Sequence, residues 1–442
     1  MSNFFNERIL LDSELAYQLY QSVKDLPIVD YHCHLNQVAI ANDDKFCDIG
    51  ELWLSEDHYK WRAMRLCDVD EYYITGNASY EEKFYKYAEI MPKLIANPLY
   101  YWTHFELKEI FGITSSLNKQ SAKEIYENAN KKLKDLSVRK LLKKFNVEYI
   151  CTTDDPCDDL LSHGTYEGIK VLPTFRPDKA YDPNSYNPLL EKTIGNKINT
   201  AKEYVNALEK RLDYFLSHGC KISDHGFNKF PSLYISDDKA EELFIRKSQL
   251  NKEEKELFMG WLLVKLTKLY GARHIAMQIH INVIRNNNIE MFNNVGPDSG
   301  FDLIGEPQNI EDLVLFFNQV KDEERPETIL YTLNDSNLSA LAALTGAFRH
   351  IRMGPAWWFN DTLEGIKRNI SIISEYSILG NNLGMLTDSR SFSSYSRFDF
   401  FRRILSNYIA NKVLKGEYDQ DSAYQLMKDI CYNNSNKLLE GK

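Results

Sequence analysis

No stretch of this 442-residue sequence is long and apolar enough to span a bilayer. The opening MSNFFNERILLDSELAYQLY is broken by Glu7, Arg8, Asp12 and Glu14, so it lacks the unbroken apolar core of a signal peptide. Basic residues never gather into a run of one sign, and 53 of them face 63 acidic residues for a net charge of -10, which argues against a nucleic-acid partner. GxGxxG and GxxxxGK[ST] are both absent, so nucleotide use is not indicated, and the missing GxSxG removes one common serine nucleophile. The seven cysteines (Cys33, Cys47, Cys67, Cys151, Cys157, Cys220 and Cys431) show no short paired spacing, and their odd number argues against a closed disulfide framework. Reduced thiols in a soluble, cytoplasmic protein are the expectation. Internal repeats and low-complexity tracts are lacking too.

What remains is ordinary globular composition, 43% hydrophobic and 26% charged. Short β-branched or aromatic runs bounded by turn residues predict eight strands: IVDYHCHL from Ile28, VEYICTTDD from Val147, KVLPTFRPD from Lys170, CKISDHG from Cys220, AMQIHIN from Ala276, TILYTLND from Thr328, IRMGPAWWFND from Ile351 and NLGMLTDSR from Asn382. Helical patterns such as AKEYVNALEKRLDYFLS and TLEGIKRNISIISEYSIL separate the last seven, which implies a parallel sheet. Eight such strands suggest a closed (β/α)8 barrel, with a doubly wound sheet as the alternative. The positions of the polar residues favour the barrel, because in seven of the eight runs they fall at the carboxyl end, where barrel enzymes build their sites. The predicted division is 1–35 for an N-terminal helix and first strand, 36–146 for a mostly helical insertion over the barrel mouth, and 147–442 for the rest of the barrel with C-terminal helices. YDPNSYNPLLEKTIGNKI, from Tyr181, reads as a long loop because of its Pro, Asn and Gly content.

In IVDYHCHL a strand sends His32 and His34 to one face and Cys33 to the other, and two imidazoles so spaced can hold one metal ion. Two buried histidines bonded to backbone carbonyls would produce the same motif. Asp388, in GMLTDSRSF, is the preferred third ligand, although an Asp after a strand also commonly caps a helix. Asp224, His225 and His280 are further candidates. Asp224 with His280 could alternatively form a proton-transfer pair that does not touch metal. Two histidines and one carboxylate leave coordination positions open for substrate oxygens or water. Arg176, Arg285 and Arg390 offer guanidinium forks suited to a carboxylate or phosphate, or else ion pairs with rim acids. Tyr59, Trp357 and Trp358 supply a hydroxyl and ring surfaces.

VDYHCHL, HYKWRAMR, NPLYYWTHFELKEIFGI, PTFRPDKA, SDHGF, MQIHINVIRNNN, GPDSGFD, ILYTLN, AWWFND, GMLTDSRSF and FFRRIL occur in that order over most of the chain. In them the sequence resembles the uronate isomerases of the amidohydrolase superfamily. The resemblance implies a distorted (β/α)8 barrel and the ketol isomerisation of D-glucuronate to D-fructuronate or D-galacturonate to D-tagaturonate. It places the metal ligands on His32, His34 and Asp388 and further active-site residues on Tyr59, Arg176, Asp224, His280, Arg285 and Arg390; the expected division of work is catalysis by Asp388, Tyr59, His280 and Asp224 and substrate binding by Arg176, Arg285, Arg390 and Trp358. The implied cofactor is a divalent ion, zinc first, with manganese or iron also compatible with such ligands. The implied partner is a small sugar acid, with no nucleic acid or membrane, and a homo-oligomer is compatible. Ile281, Asn282 and Val283 depart from the small residues common in the family after MQxH. A metal-dependent hydrolase on the same barrel is the nearest alternative, and a catalytically silent sugar-acid binder a more distant one.

Overall fold

The computed structural model describes residues 4–440. Seven parallel strands follow one another in space as in sequence: β1 Ile28–Asp30, β2 Val147–Cys151, β3 Ile169–Leu172, β4 Ile222–Phe227, β5 Ala276–Ile281, β6 Thr328–Thr332 and β7 Ile351–Met353. Isolated parallel bridges at Phe175, to Asp154 and to Ser223, carry the sheet from β3 to β4. An eighth extended segment, leading to Asp388, returns to the first strand, where Asp388 N–H donates to the His32 carbonyl at 3.2 Å and His34 N–H to the Ser389 carbonyl at 3.0 Å. The order is that of a (β/α)8 barrel with a distorted seam.

The strands read as near-continuous apolar runs because helices cover their outer face while side chains fill the lumen. All six residues of β5 are buried. Met277, Ile279 and Ile281 pack into the helical layer, whereas Ala276 joins Val29, Tyr149, Ile222 and Ile329 inside the barrel. The same period of two turns Gln278 and His280 inward. The eighth segment forms no regular ladder. Its chain is bent at Gly384, φ +74°, where an added Cβ would lie 2.3 Å from the Ile430 carbonyl of the C-terminal helices.

Tyr181 onward is not the expected loop: Pro183–Ile194 is a helix. Asp182 caps the N-terminus, Pro183 takes the first turn, where no N–H is needed, and Gly195 closes the end in the left-handed region, while Pro188 lies within the helix and is accommodated there. After β4 come helices Asp237–Ile245 and Lys252–Ala272, the second opened by an Asn251–Glu254 capping box. No helix among the described residues is long and apolar enough to cross a membrane.

Between β1 and β2 run helices Gln37–Asn42, Ile49–Leu54, His58–Leu66, Tyr80–Ile90, Pro98–Phe111, Ala122–Leu133 and Val138–Lys144. Their apolar faces share one hydrophobic cluster with helix Glu14–Gln21 and the long helix Ser396–Leu414. A buried charged network crosses this packing. Lys60 Nζ lies 2.7 Å from Asp57 Oδ2 and 3.4 Å from Glu106 Oε1, with all three side chains about 1% exposed. Arg397 stacks over Trp102 at 3.9 Å and Tyr59 at 4.6 Å, and donates to the Thr387 carbonyl at 2.9 Å. The residue beside Asp388 is therefore tied to the insertion helices.

Removing one member of a buried ion network strands the others without water, at a cost of about 3–5 kcal/mol. Lys60→Ala is expected to lower urea-unfolding stability by about that much, whereas Lys239→Ala, in an exposed pair with Glu242, is expected to change it little. Equal losses for the two variants would contradict this account of the network.

Candidate metal centre and active site

His32 and His34 follow β1, and Asp388 ends the eighth segment, so the barrel's closing seam brings them together. One carboxylate oxygen, Asp388 Oδ1, lies 3.2 Å from His32 Nε2 and 3.1 Å from His34 Nε2. Donors that share an ion at about 2.1 Å sit about 3.0–3.4 Å apart, so these separations fit a single metal. Cys33 faces the opposite way, into the outer hydrophobic cluster.

The surroundings orient each donor. Thr153 Oγ1 donates to the Cys33 carbonyl at 3.3 Å, which leaves its lone pairs to accept His34 Nδ1–H at 2.6 Å and keeps the His34 Nε2 lone pair available. His32 Nδ1 faces Asp224 Oδ2 at 4.0 Å and the Gln278 amide at 3.5 Å. Trp357 Nε1–H donates to Asp388 Oδ2 at 2.7 Å and so directs Oδ1 to the two imidazoles. Asp388 itself has φ +44°, a left-handed conformation uncommon for a side-chain-bearing residue. Burial pushes its carboxyl up, but hydrogen bonds and charge from His32 and His34 outweigh this and hold it well below the usual carboxylate range. Burial draws His34 down to about 4.

Asp224 and His280 pair directly, Nδ1 to Oδ1 at 2.7 Å, and the buried His280 Nε2 has no protein partner. Burial raises the Asp224 carboxyl, yet Arg176, His280 and His32 together hold it far below its ordinary value, while burial lowers His280. Neutral His280 thus donates through Nδ1 and presents an accepting Nε2. His32, Asp224 and His280 also lie close enough to hold an ion. Arg176 Nη1, 3.1 Å from Asp224 Oδ2, already supplies the positive charge there. His225 takes no part. Its Nδ1 meets the Tyr181 hydroxyl at 2.7 Å, and the ring packs beside Phe227 and Tyr270.

Above the triad opens a cavity of about 700 Å³ lined by His34, Asp388, Arg176, Arg285, Arg390 and Trp358 among others. Arg176 is held by Asp178 at 2.9 Å as well as by Asp224, and Arg285 lies over the Trp358 ring at 5.3 Å. The lining carries seven carboxylates (Asp154, Asp155, Asp158, Asp178, Asp298, Asp302 and Asp388) against four permanent cations, Arg176, Lys179, Arg285 and Arg390. Such a surface favours a bound cation. Tyr59 is not in the lining of this cavity but, with Trp358, lines an adjoining one of about 210 Å³ that shares His58, Asp302 and Trp358 with it. Its buried hydroxyl has no protein partner.

Sequence reasoning missed His58, Thr153, Asp298, Asp302 and Gln278, and did not assign Trp357 its contact to Asp388. His58, Gln278, Asp298 and Asp302 lie within the motifs HYKWRAMR, MQIHINVIRNNN and GPDSGFD, the one signal that could have found them, whereas Thr153 had none; burial with the Arg390 charge lowers His58 to about 4. Asn282, one of the family departures, has φ +70°, bonds the Glu306 carbonyl at 2.6 Å and accepts from Thr332 at 2.7 Å. It braces the loop after β5 and lies outside the cavity lining.

A family model described as glucuronate isomerase matches residues 1–439. A uronate isomerase of Clostridium perfringens is 40% identical over 465 aligned positions, covering 100% of both chains. The crystal structure of uronate isomerase from Thermotoga maritima superposes with a TM-score of 0.95 at 33% identity, over 99% of each chain. Glucuronate isomerase from Caulobacter crescentus gives a TM-score of 0.92 at 27% identity, over 99% of this chain and 97% of the other. A barrel of this order, with its polar ends gathered at one mouth, and full-length likeness in both sequence and structure lead to one conclusion: the chain belongs to the uronate isomerase family of aldose–ketose isomerases.

Proposed function

We propose that the protein converts D-glucuronate to D-fructuronate and D-galacturonate to D-tagaturonate by proton transfer through an enediolate. The observation that carries this reading is the convergence of His32 and His34 on Asp388 Oδ1 at the floor of a cavity walled by Arg285 and Arg390. Ketol isomerisation moves a proton from C2 to C1 and places negative charge on the sugar oxygens. A divalent ion held by His32, His34 and Asp388, with zinc preferred and manganese or iron compatible, supplies Lewis-acid stabilisation of that charge when bound.

The chain's own groups divide the remaining work. Asp388 stays ionised near neutrality and is assigned the C2 proton. Tyr59 is assigned to polarise a substrate oxygen; burial, with the charges of Asp361 and Asp388 nearby, holds its phenol protonated and able to donate. His280, oriented by Asp224, accepts a proton during sugar ring opening. Arg285 and Arg390 grip the distant carboxylate and fix the sugar before the proton moves, while Trp358 forms one wall. Arg176 braces Asp224 and presents its remaining edge to the cavity.

Chelator treatment is expected to abolish ketose formation from glucuronate, and added zinc or manganese to restore it. Asp388→Asn is expected to lower the rate by about 10²–10⁴-fold. Wild-type turnover in that variant, or release of a hydrolysis product in place of a ketose, would refute the assignment. Thr153→Val removes the acceptor that fixes the His34 tautomer and is expected to weaken metal binding by about 10–100-fold, read by competition with a chromogenic chelator, with activity recovered in excess metal.

A further inference from the structure

The two arginines assigned to the substrate carboxylate already hold a carboxylate, and it belongs to the protein. Asp298 Oδ1 accepts from Arg285 Nη1 at 3.3 Å, and Asp298 Oδ2 lies 3.2 Å from Arg390 Nη2. The Asp298 carbonyl accepts from Arg390 Nη1 at 3.2 Å. Both terminal nitrogens of Arg390 are thus committed to one residue. Arg285 Nη1 also faces Asp302 Oδ2 at 3.5 Å. An incoming carboxylate cannot take the Arg390 fork until Asp298 leaves it.

The turn that carries Asp298 is anchored, with Asp298 N–H reaching Asn286 Oδ1 at 3.4 Å and Ser299 Oγ donating to the Pro297 carbonyl at 3.1 Å, so the group left to exchange is the Asp298 carboxylate. Asp298 has φ +55°, and Gly296 and Gly300 on either side have φ +85° and +92°, so the turn uses conformations that glycine reaches freely. Downstream the chain is fastened to helix His58–Leu66, since Arg62 Nη1 donates to the Gly300 and Asp302 carbonyls at 3.2 and 3.1 Å. Arg65 also bonds the Ser299 carbonyl. The Asp298 side chain is 38% exposed, so what it gives up on leaving the arginines for water is a partly screened ion pair.

We propose that Asp298 is an internal surrogate for the substrate carboxylate. It occupies the clamp between Arg285 and Arg390 in the substrate-free protein and yields it to an entering uronate. Exchanging one carboxylate for another conserves charge at the clamp, so a uronate displaces Asp298 readily. A neutral aldose brings no anion to compensate the arginines and leaves Asp298 in place. Asp298 is thereby a specificity-determining residue, and its hold on the arginines is set against uronate affinity. This inference rests on the assignment of Arg285 and Arg390 to the substrate carboxylate.

Asp298→Asn keeps the size of the side chain and removes its charge. In the metal-loaded enzyme it is expected to lower the KM for glucuronate by about 3–10-fold, a larger change than any in kcat, as befits loss of a partly exposed ion pair. Inorganic sulfate is expected to bind the variant more tightly by a similar factor, followed by the fluorescence of Trp358, against which Arg285 packs. In the wild-type protein, saturating sulfate is expected to accelerate amide hydrogen exchange across residues 298–300. Unchanged or weaker uronate and sulfate binding in the variant, or unchanged exchange in the wild type, would show Asp298 to be a fixed brace for the arginines and overturn the proposal. Sulfate binding and exchange need no turnover, so wild-type protein that fails to isomerise uronates would count against the proposed function while these two measurements still decide the role of Asp298.

Discussion

A carboxylate oxygen of Asp388, at the last barrel segment, faces two imidazole nitrogens that follow the first strand, at 3.1 and 3.2 Å. That contact spans the seam at which the barrel closes, so the convergence of the three side chains depends on the register of that seam. The backbone bonds between His32, His34, Asp388 and Ser389 fix the seam's register, and the left-handed turn at Asp388 aims the carboxylate inward. Strain at such a position persists only where its surroundings overdetermine it. Here those surroundings include Thr387, whose N–H and hydroxyl bond Asp30 at 3.0 and 2.6 Å and whose carbonyl accepts from Arg397.

Arg397 extends this dependence outward. Its guanidinium lies between Tyr59 and Trp102, residues of two insertion helices, and pairs with Asp361 at 3.5 Å. The insertion therefore shares a buried electrostatic network with the site as well as a hydrophobic core with the flanking helices. Charges buried this way add little to stability over an apolar core of the same shape, but they tolerate few alternative arrangements. A network of that kind suits a site whose ligands must converge within tenths of an ångström. The cavity above has the opposite character, open and rich in carboxylates, and its arginines are held by side chains of the protein.

The β5 run and its neighbours were legible as strands because burial on both faces leaves an unbroken apolar signature. His32, His34 and Asp388 stood out because a strand's period of two and the carboxyl-end rule narrow the choice. The eighth segment was less faithful to its pattern, since contact with the C-terminal helices bends it at Gly384. The helix from Pro183 to Ile194 was hidden by Pro183 and Gly195, which lie where capping chemistry wants them, and by Pro188, which the helix carries in its interior. The contacts that Thr153, Trp357 and Asp298 make were not legible, because hydroxyl, indole and carboxylate side chains occur widely and nothing local marks which of them will meet an imidazole, a carboxylate or a guanidinium.

Alternation of strand and helix, the chemical types of the candidate ligands and the carboxyl ends that carry them were determined by the sequence alone, since each follows from local periodicity and side-chain chemistry. Which nitrogen faces which oxygen, which arginine is already occupied and which cavity Tyr59 enters were decided only by tertiary structure. Those relations join residues separated by as many as 356 positions, and their distances depend on how the seam, the insertion and the mouth loop pack together rather than on any neighbouring stretch of chain.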